Sequence, residues 1–367
     1  MEQVIRTSSE FANKMVQENL RDFSWFLHNA DMSKLEHNIE EKRFPAGSYY
    51  VETLWSGARG KKNEDSYAVL PMGEGRTLFA VFDGASSQKK NESLARLGMS
   101  GAFYLSHMVS LGFVQSQEFG ILYRNKNTTA KDVMTSMNKW IHQNLRNVPG
   151  INYSDIPSVP GMAAAFVLVD VSKRSLTISQ VADAAIGMVK RDGSVSVITP
   201  NLNAKFDEET LEFAYSLAEK YGSDIAHVRQ IPEANEECRQ HLAESFARKT
   251  NKKGGCGILN GMSEMEDLGL FYSDEFSLDD GFSGLMMFSD GAIQPYLDKD
   301  ISLSESARLL RERQKMSNGL SVLSAGVSIL DNDPEFKKIP RLKHRDDATL
   351  LTIDFDARNL SSLPLAA

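Results

Sequence analysis

The sequence predicts an α+β domain that is rich in strands. Three observations predict it. Short apolar runs such as Leu78 to Phe82 are too short for a typical helix, rich in aromatic and branched residues, and apolar at consecutive positions, as in strands buried on both faces. Other stretches place apolar residues three and four apart, the spacing of amphipathic helices. The order of the two kinds is not strictly βαβ.

Taken from the N-terminus, residues 9–29 predict an amphipathic helix. Val16, Leu20, Phe23 and Leu27 keep helical spacing, and Phe11, Met15 and Phe26 widen the stripe. This extension is expected to pack on the body or on a partner. Residues 32–47 are charged and end in Pro45 and Gly47, the composition of a linker. The main domain is thus expected to begin near Ser48 and to occupy 48–356, between a helical extension with its linker (1–47) and a tail (357–367). Strands are expected at Tyr49 to Leu54, Ser66 to Leu70, Leu78 to Phe82, Ala163 to Val169, Leu176 to Val181 and Ile186 to Val189. Ser86 to Met108 reads as a helix with Leu94, Leu97, Gly101, Leu105 and Met108 near one face. A second helix fits Ala130 to Leu145. Thr129 and Asp132 form its capping box, and Val133, Met137, Trp140, Ile141 and Leu145 follow a core face. Residues 207–249 are dense in Glu, Lys and Ala, break near Gly222 and Pro232, and read as a helical insertion over about 203–253. Ser302 and Glu305 cap a helix running to about Arg313, and Leu350 to Phe355 closes the domain as a strand.

With 367 residues, 41% of them apolar, the chain can bury a large core and is long for one domain. The formal net charge of -8 opposes nonspecific nucleic-acid binding, which needs Lys and Arg to neutralise phosphates. Arg248, Lys249, Lys252 and Lys253 read as a solvated loop. The N-terminus lacks a basic start followed by an apolar stretch, and no run approaches the roughly 20 apolar residues of a membrane span. A cytoplasmic location with no membrane partner is therefore expected. Cys238 and Cys256 are too few for a disulfide framework and lack the second pair that a thiolate zinc site needs.

Two apolar runs break off into Asp-Gly: LFAVFDG ends at Asp83 and Gly84, and GLMMFSDG ends at Asp290 and Gly291. Asp-Gly is also the commonest tight-turn sequence. Asp192-Gly193 and Asp280-Gly281 read that way, since strands flank or follow them. Asp83 and Asp290 differ, because no second strand begins two residues later. With RDDATLLTIDF near the C-terminus they suggest one acidic site assembled from distant parts of the chain. A residue without Cβ at Gly84 and Gly291 can adopt positive φ, which lets the backbone turn sharply and come close to a ligand.

The order of these motifs resembles the type 2C family of metal-dependent serine/threonine protein phosphatases, particularly its bacterial branch. The likeness runs from about Gly57 to Phe355 through GKKNEDSYAV, LFAVFDGAS, VADAAIGMVKRDG, GLMMFSDG and RDDATLLTIDF, with GGCGILNG before the fourth. It implies a four-layer α/β/β/α fold, a central antiparallel β-sandwich flanked by helices, with metals at one end. It makes Asp83 a carboxylate bridging two metals and the Gly84 carbonyl a further ligand, with Asp290 and Asp346 completing the second metal. Glu64 and Asp65 would hold metal-bound waters, and Asp183 would bind a third ion. Asp347 stands where many members have Asn and is the second choice of ligand beside Asp346. The phosphate-binding Arg is displaced: Gly60 holds its usual place, leaving Arg59 as the candidate and Lys61 or Lys62 as alternatives. Ala85 replaces a His that many members place after Asp-Gly, and Ala182-Asp183-Ala184-Ala185 replaces Gly-Asp-Ser-Arg. His344, alone near Asp346, reads as a packing or solvent-facing residue.

The residue types suit such chemistry. Magnesium and manganese prefer oxygen ligands and keep several waters, so carboxylates and a carbonyl without His or Cys favour them over zinc. Two carboxylates about 4 Å apart repel by roughly 4 kcal/mol at an effective dielectric of about 20, so a convergent set calls for cations or protons. The expected activity is hydrolysis of phosphoserine and phosphothreonine in proteins by a water that two Mn or Mg ions activate, as in signalling by dephosphorylation. A catalytically weak relative serving as a regulatory or binding module, or another two-metal phosphohydrolase, are the alternatives.

Overall fold

The structure, a computed structural model, describes residues 37–57, 62–85, 89–115, 117–265, 267–298, 300–317, 320–339, 341 and 344–356. The predicted helix over 9–29 and the tail over 357–367 lie outside these residues. Among the described residues, eleven strands form two antiparallel sheets. The first has the order β1 (His37–Phe44), β2 (Gly47–Leu54), β11 (Ala348–Phe355), β10 (Phe282–Phe288), β7 (Ala185–Lys190), β8 (Val195–Val197). The second runs β3 (Ser66–Gly73), β4 (Arg76–Ala85), β5 (Gly161–Asp170), β6 (Ser175–Val181), β9 (Tyr272–Ser277).

Strand β4 shows why its apolar run is continuous. Successive side chains alternate between faces. Phe79 and Val81 enter the space between the sheets with Val167, Ile178, Leu285, Met287, Leu351 and Ile353. Leu78, Ala80 and Phe82 point the other way, onto Phe103 and Val109 of helix α2 (Gly101–Gln115) and Met137 and Ile141 of α4 (Ala130–Leu145). The outer face of the first sheet is covered in turn by α7 (Asp290–Ile293), α8 (Leu303–Met316) and α9 (Val322–Asp331), through Ile293, Leu310 and Leu323. The four-layer α/β/β/α sandwich is therefore present, its central strands being buried by a sheet on one side and helices on the other.

Helix α4 begins as predicted, with both reciprocal bonds of the Thr129–Asp132 capping box. α8 starts at Ser302, whose hydroxyl accepts from the Glu305 N–H. Gly193 and Gly281 sit at φ +86° and +83° in the two turns predicted as such. The insertion consists of α5 (Ala204–Lys220) and α6 (Pro232–Lys249), broken where Gly222 and Pro232 predict.

Three expectations are corrected. Residues 37–47 are not a linker: His37–Phe44 is a strand, paired with β2 across a tight turn at Pro45 and Ala46. Its charges fit because it is the edge strand, with much of its surface in water. Ser86 to Met108 is not one helix. Gly98, at φ +69°, ends a short helix α1 (Glu92–Arg96) before α2 begins, and this leaves Leu97 exposed. Arg248 and Lys249 lie in the last turn of α6, not in a loop, where cations complement the helix C-terminus.

Replacing Thr129 by Ala removes one orphan-donor partner at the start of α4 and is expected to cost about 1 kcal/mol. Phe79→Ala empties the centre of the sandwich, where Phe44 and Tyr49 pack edge-on at 5.2 and 5.6 Å, and is expected to cost about 3–5 kcal/mol. Urea unfolding of both variants checks the order and the scale.

Candidate metal centre

The antiparallel register brings several chain segments to one end of the sandwich. Ser66 pairs with Phe82, Ala164 with Val181, Ala185 with Phe288, and Ala348 with Leu54. The residues just outside these pairs are Glu64 and Asp65, Asp83 and Gly84, Asp183, Asp290, and Asp346 and Asp347. Sequence-distant carboxylates thus meet because strand ends meet. Asp183 lies in the turn where the chain leaves one sheet for the other, next to Ala182 at φ +65°.

Asp65, Glu64 and Asp347 are buried, while Asp83, Asp183, Asp290 and Asp346 are half-buried around them. Asp347 gives both carboxylate oxygens to the backbone, one to the Ser56 N–H and one to the Glu64 N–H, each at 2.7 Å. It ties the exit of β2 to the acidic pair, whereas Asp346 accepts from the Asp347 N–H at 3.1 Å. Asp347 thus holds the loop through the backbone of two other segments. Behind them Arg341 is buried against Asp333 at 2.8 Å and donates to the His344 carbonyl, and Arg345 grips Asp331. His344 faces outward to Asp331, away from the group.

The glycines act differently from the expectation. Neither Gly84 nor Gly291 has positive φ. A Cβ on Gly84 would stand 2.5 Å from the Glu64 carbonyl oxygen and 3.1 Å from that of Ala102, and one on Gly291 would stand 1.9 Å from the Asp347 carbonyl oxygen. They are glycine so that backbone can press on backbone, drawing the two Asp-Gly corners against the segments that carry the other acids.

Mutual repulsion is written into the ionisation of the group. Asp83 is pushed well above the usual carboxylate range, first by desolvation and then by Asp65, Asp290, Asp183 and Asp346. Desolvation also leads for Asp65, followed by Asp347; a hydrogen bond with Ser289 opposes, and Asp290 and Asp346 add to the rise. Ser289 is fully buried and its oxygen also accepts from the Thr349 N–H at 2.9 Å, so it links the acidic pair to β11. Desolvation and then Asp290 push Asp207, in the first turn of α5, up to about 6, although the residue keeps an exposed surface. Asp207 and Ser289 are site neighbours that sequence reasoning missed. Ser289 stood beside a singled-out Asp290, and Asp207 lay in a helix whose charges read as a solvated face.

The donor set fits a hard divalent cation. It consists of oxygens, it carries a surplus of negative charge, and the buried Asp65 Oδ2 has no hydrogen-bond partner. Among the described residues no three His, Cys, Asp or Glu side chains are grouped closely enough to hold one ion by themselves. Arg59 and Lys61 lie outside the described residues; Lys62 holds its ammonium 5.1 Å from the centre of the Phe103 ring. Cys238 and Cys256 are buried free thiols.

Asp83→Asn removes one of the repelling charges and is expected to raise the stability of the metal-free protein on the order of 1 kcal/mol, the scale of one pKa unit. Thermal melts in EDTA check this, and added manganese should reverse the order of the two proteins. Gly291→Ala is expected to cost about 1–3 kcal/mol through overpacking against the Asp347 backbone. Gly120→Ala, in helix α3 (Gln117–Arg124) with nothing within 4 Å of an added Cβ, is expected to stabilise by up to about 1 kcal/mol.

Comparison with known proteins identifies the family. The family model described as protein phosphatase 2C matches residues 57–323. No curated protein matches the chain. Among solved structures, serine/threonine phosphatase Stp1 from Staphylococcus aureus is 14% identical with a TM-score of 0.47, over 87% of this chain and 100% of that one. The S. agalactiae serine/threonine phosphatase is 12% identical with a TM-score of 0.46, over 84% and 99%. The catalytic domain of PstP, described in complex with 2 manganese ions, is 14% identical with a TM-score of 0.45, over 83% and 96%. The matched family model spans well over half of the sequence, and by it the chain belongs to the protein phosphatase 2C family of metal-dependent protein serine/threonine phosphatases.

Proposed function

We propose that this chain removes phosphate from phosphoserine and phosphothreonine side chains of proteins, using two Mn or Mg ions held between the strand ends. The observation that carries this is that the strand register brings Asp65, Asp83, Asp183, Asp290 and Asp346, from distant parts of the chain, to one end of the sandwich. Asp83, the Gly84 carbonyl, Asp290 and Asp346 would hold the ions. Glu64 and Asp65 would orient the waters around them, and Asp183 would hold a third ion. When bound, such ions supply a water of lowered pKa and neutralise the phosphoryl oxygens.

The residues of the chain do the remaining work. Ser289 bonds Asp65 and fixes its carboxylate, so that the acid presents one oxygen toward the group. Arg59 is the candidate for gripping the phosphate, with Lys61 and Lys62 next to it. Ala85 offers no proton, so the departing serine or threonine oxygen is protonated from water. The oxygen-only donor set needs no covalent phospho-enzyme, because the nucleophile is the water. The substrate is a phosphorylated protein. The acidic balance of -8 disfavours nucleic acid. Among the described residues no helix is long and apolar enough to cross a membrane.

Purified protein should hydrolyse an aryl phosphate and a phosphothreonine peptide with manganese and not with EDTA, and should leave a nucleotide and an oligonucleotide intact. Asp83→Asn and Asp346→Asn are each expected to lower turnover by at least about a hundredfold. A folded protein inert under all these conditions would assign the chain to a regulatory or binding role instead.

A further inference from the structure

Helix α2 meets the acidic pair along one face, residue by residue. The His107 Nε2 lies 2.9 Å from the Asn63 carbonyl oxygen, the Ser66 hydroxyl donates to the Ser106 carbonyl at 2.9 Å, and the Ser110 hydroxyl donates to the Tyr67 carbonyl at 2.6 Å. One turn earlier, the ring of Phe103 carries the Lys62 ammonium on one side and packs on His107 with a centroid distance of 4.3 Å. Positions 103, 106 and 107, and 110 are successive turns of one helix face. They fasten 62, 63 and 66, and 67, the residues on either side of Glu64 and Asp65. The first turn of the same helix abuts Gly84 through Ala102.

We propose that His107 is a positioning residue, which fixes the Glu64–Asp65 pair by donating its Nε2 proton to the Asn63 carbonyl. A carbonyl only accepts, so the bond requires the proton on Nε2. Asn63 passes the constraint on directly, because its own side-chain oxygen accepts the Asp65 N–H at 3.0 Å. The Glu64 N–H is held from the opposite side by Asp347. The pair is thus clamped between α2 and the loop that carries Asp346. Burial suits the role: His107 is 8% exposed, and desolvation pushes its pKa down to about 4, against a smaller upward effect of the Asn63 bond, so the ring is neutral at pH 7. Neither Ser106 nor Ser110 reaches Asn63, and a leucine would fill the space of the ring without donating.

The contact is independent of the proposed function, while its consequence for turnover rests on that reading. The test compares wild type, His107→Gln and His107→Leu. A Gln amide can donate from a position near that of Nε2. Hydrogen exchange at the Glu64 and Asp65 amides is expected to quicken roughly tenfold in the Leu variant, about what loss of one buried hydrogen bond allows, with the amides of β5 unchanged. Manganese-dependent turnover of a phosphothreonine peptide should fall in kcat with KM within about twofold, and Gln should restore both readouts. The proposal is overturned if the Leu variant exchanges these two amides at the wild-type rate, if exchange quickens throughout the domain, or if Gln behaves as Leu does. A wild-type protein that hydrolyses nothing removes the phosphatase reading, and the exchange measurement still decides the role of His107.

Discussion

Like charges that must stay together govern this molecule. Asp65, Asp83, Asp183, Asp290 and Asp346 raise the cost of one another's ionisation, and each lies at or just beyond a strand end that could splay to relieve it. They do not splay, because the backbone is fastened on every side. Asp347 spends both oxygens on N–H groups of two other segments. The Asp-Gly corners are pressed against neighbouring carbonyls at positions where any side chain would collide. The Arg341–Asp333 pair, buried and satisfied by surrounding carbonyls and N–H groups, anchors the loop that leads to Asp346. The fold stores a site that only cations or protons can neutralise.

The sandwich is the rigid part of this arrangement. Its central strands are apolar on both faces, packing sheet against sheet inside and helices outside, so their ends cannot shift without disturbing two layers. The mouth is built from less constrained pieces. The insertion formed by α5 and α6 brings Asp207 beside Asp290 at one of its ends and packs Ala214 and Ile225 against Phe336 of the Asp346 loop. A surface that recognises a substrate around this site would therefore include the insertion.

Much of this was legible in the sequence where local chemistry is decisive. The Thr129–Asp132 box, the turns at Gly193 and Gly281, the runs around Phe79 and Phe166, and the pairing of Asp83 with Asp290 each carry their signal within a few residues. What was not legible depends on partners elsewhere. The charged edge strand His37–Phe44 looks like a linker until β2 pairs with it. Gly98 sits inside a helical pattern, and only its left-handed backbone reveals the break. Helix α9 is short and apolar, which periodicity does not separate from a buried strand. The reason for glycine at 84 and 291 was not legible, since contact between backbones and not positive φ requires it. That Asp347 spends both carboxylate oxygens on residues almost 300 positions away was not legible either.

The central claim is that the acids form a cation site in the folded chain, so the most direct measurement is a count of manganese bound per chain by equilibrium titration of the wild-type protein near pH 7. The account predicts at least two ions, as two-metal hydrolases require, with a rise in thermal stability as they bind. A chain that stays folded, binds no manganese or magnesium at millimolar concentration and gains no stability would contradict it.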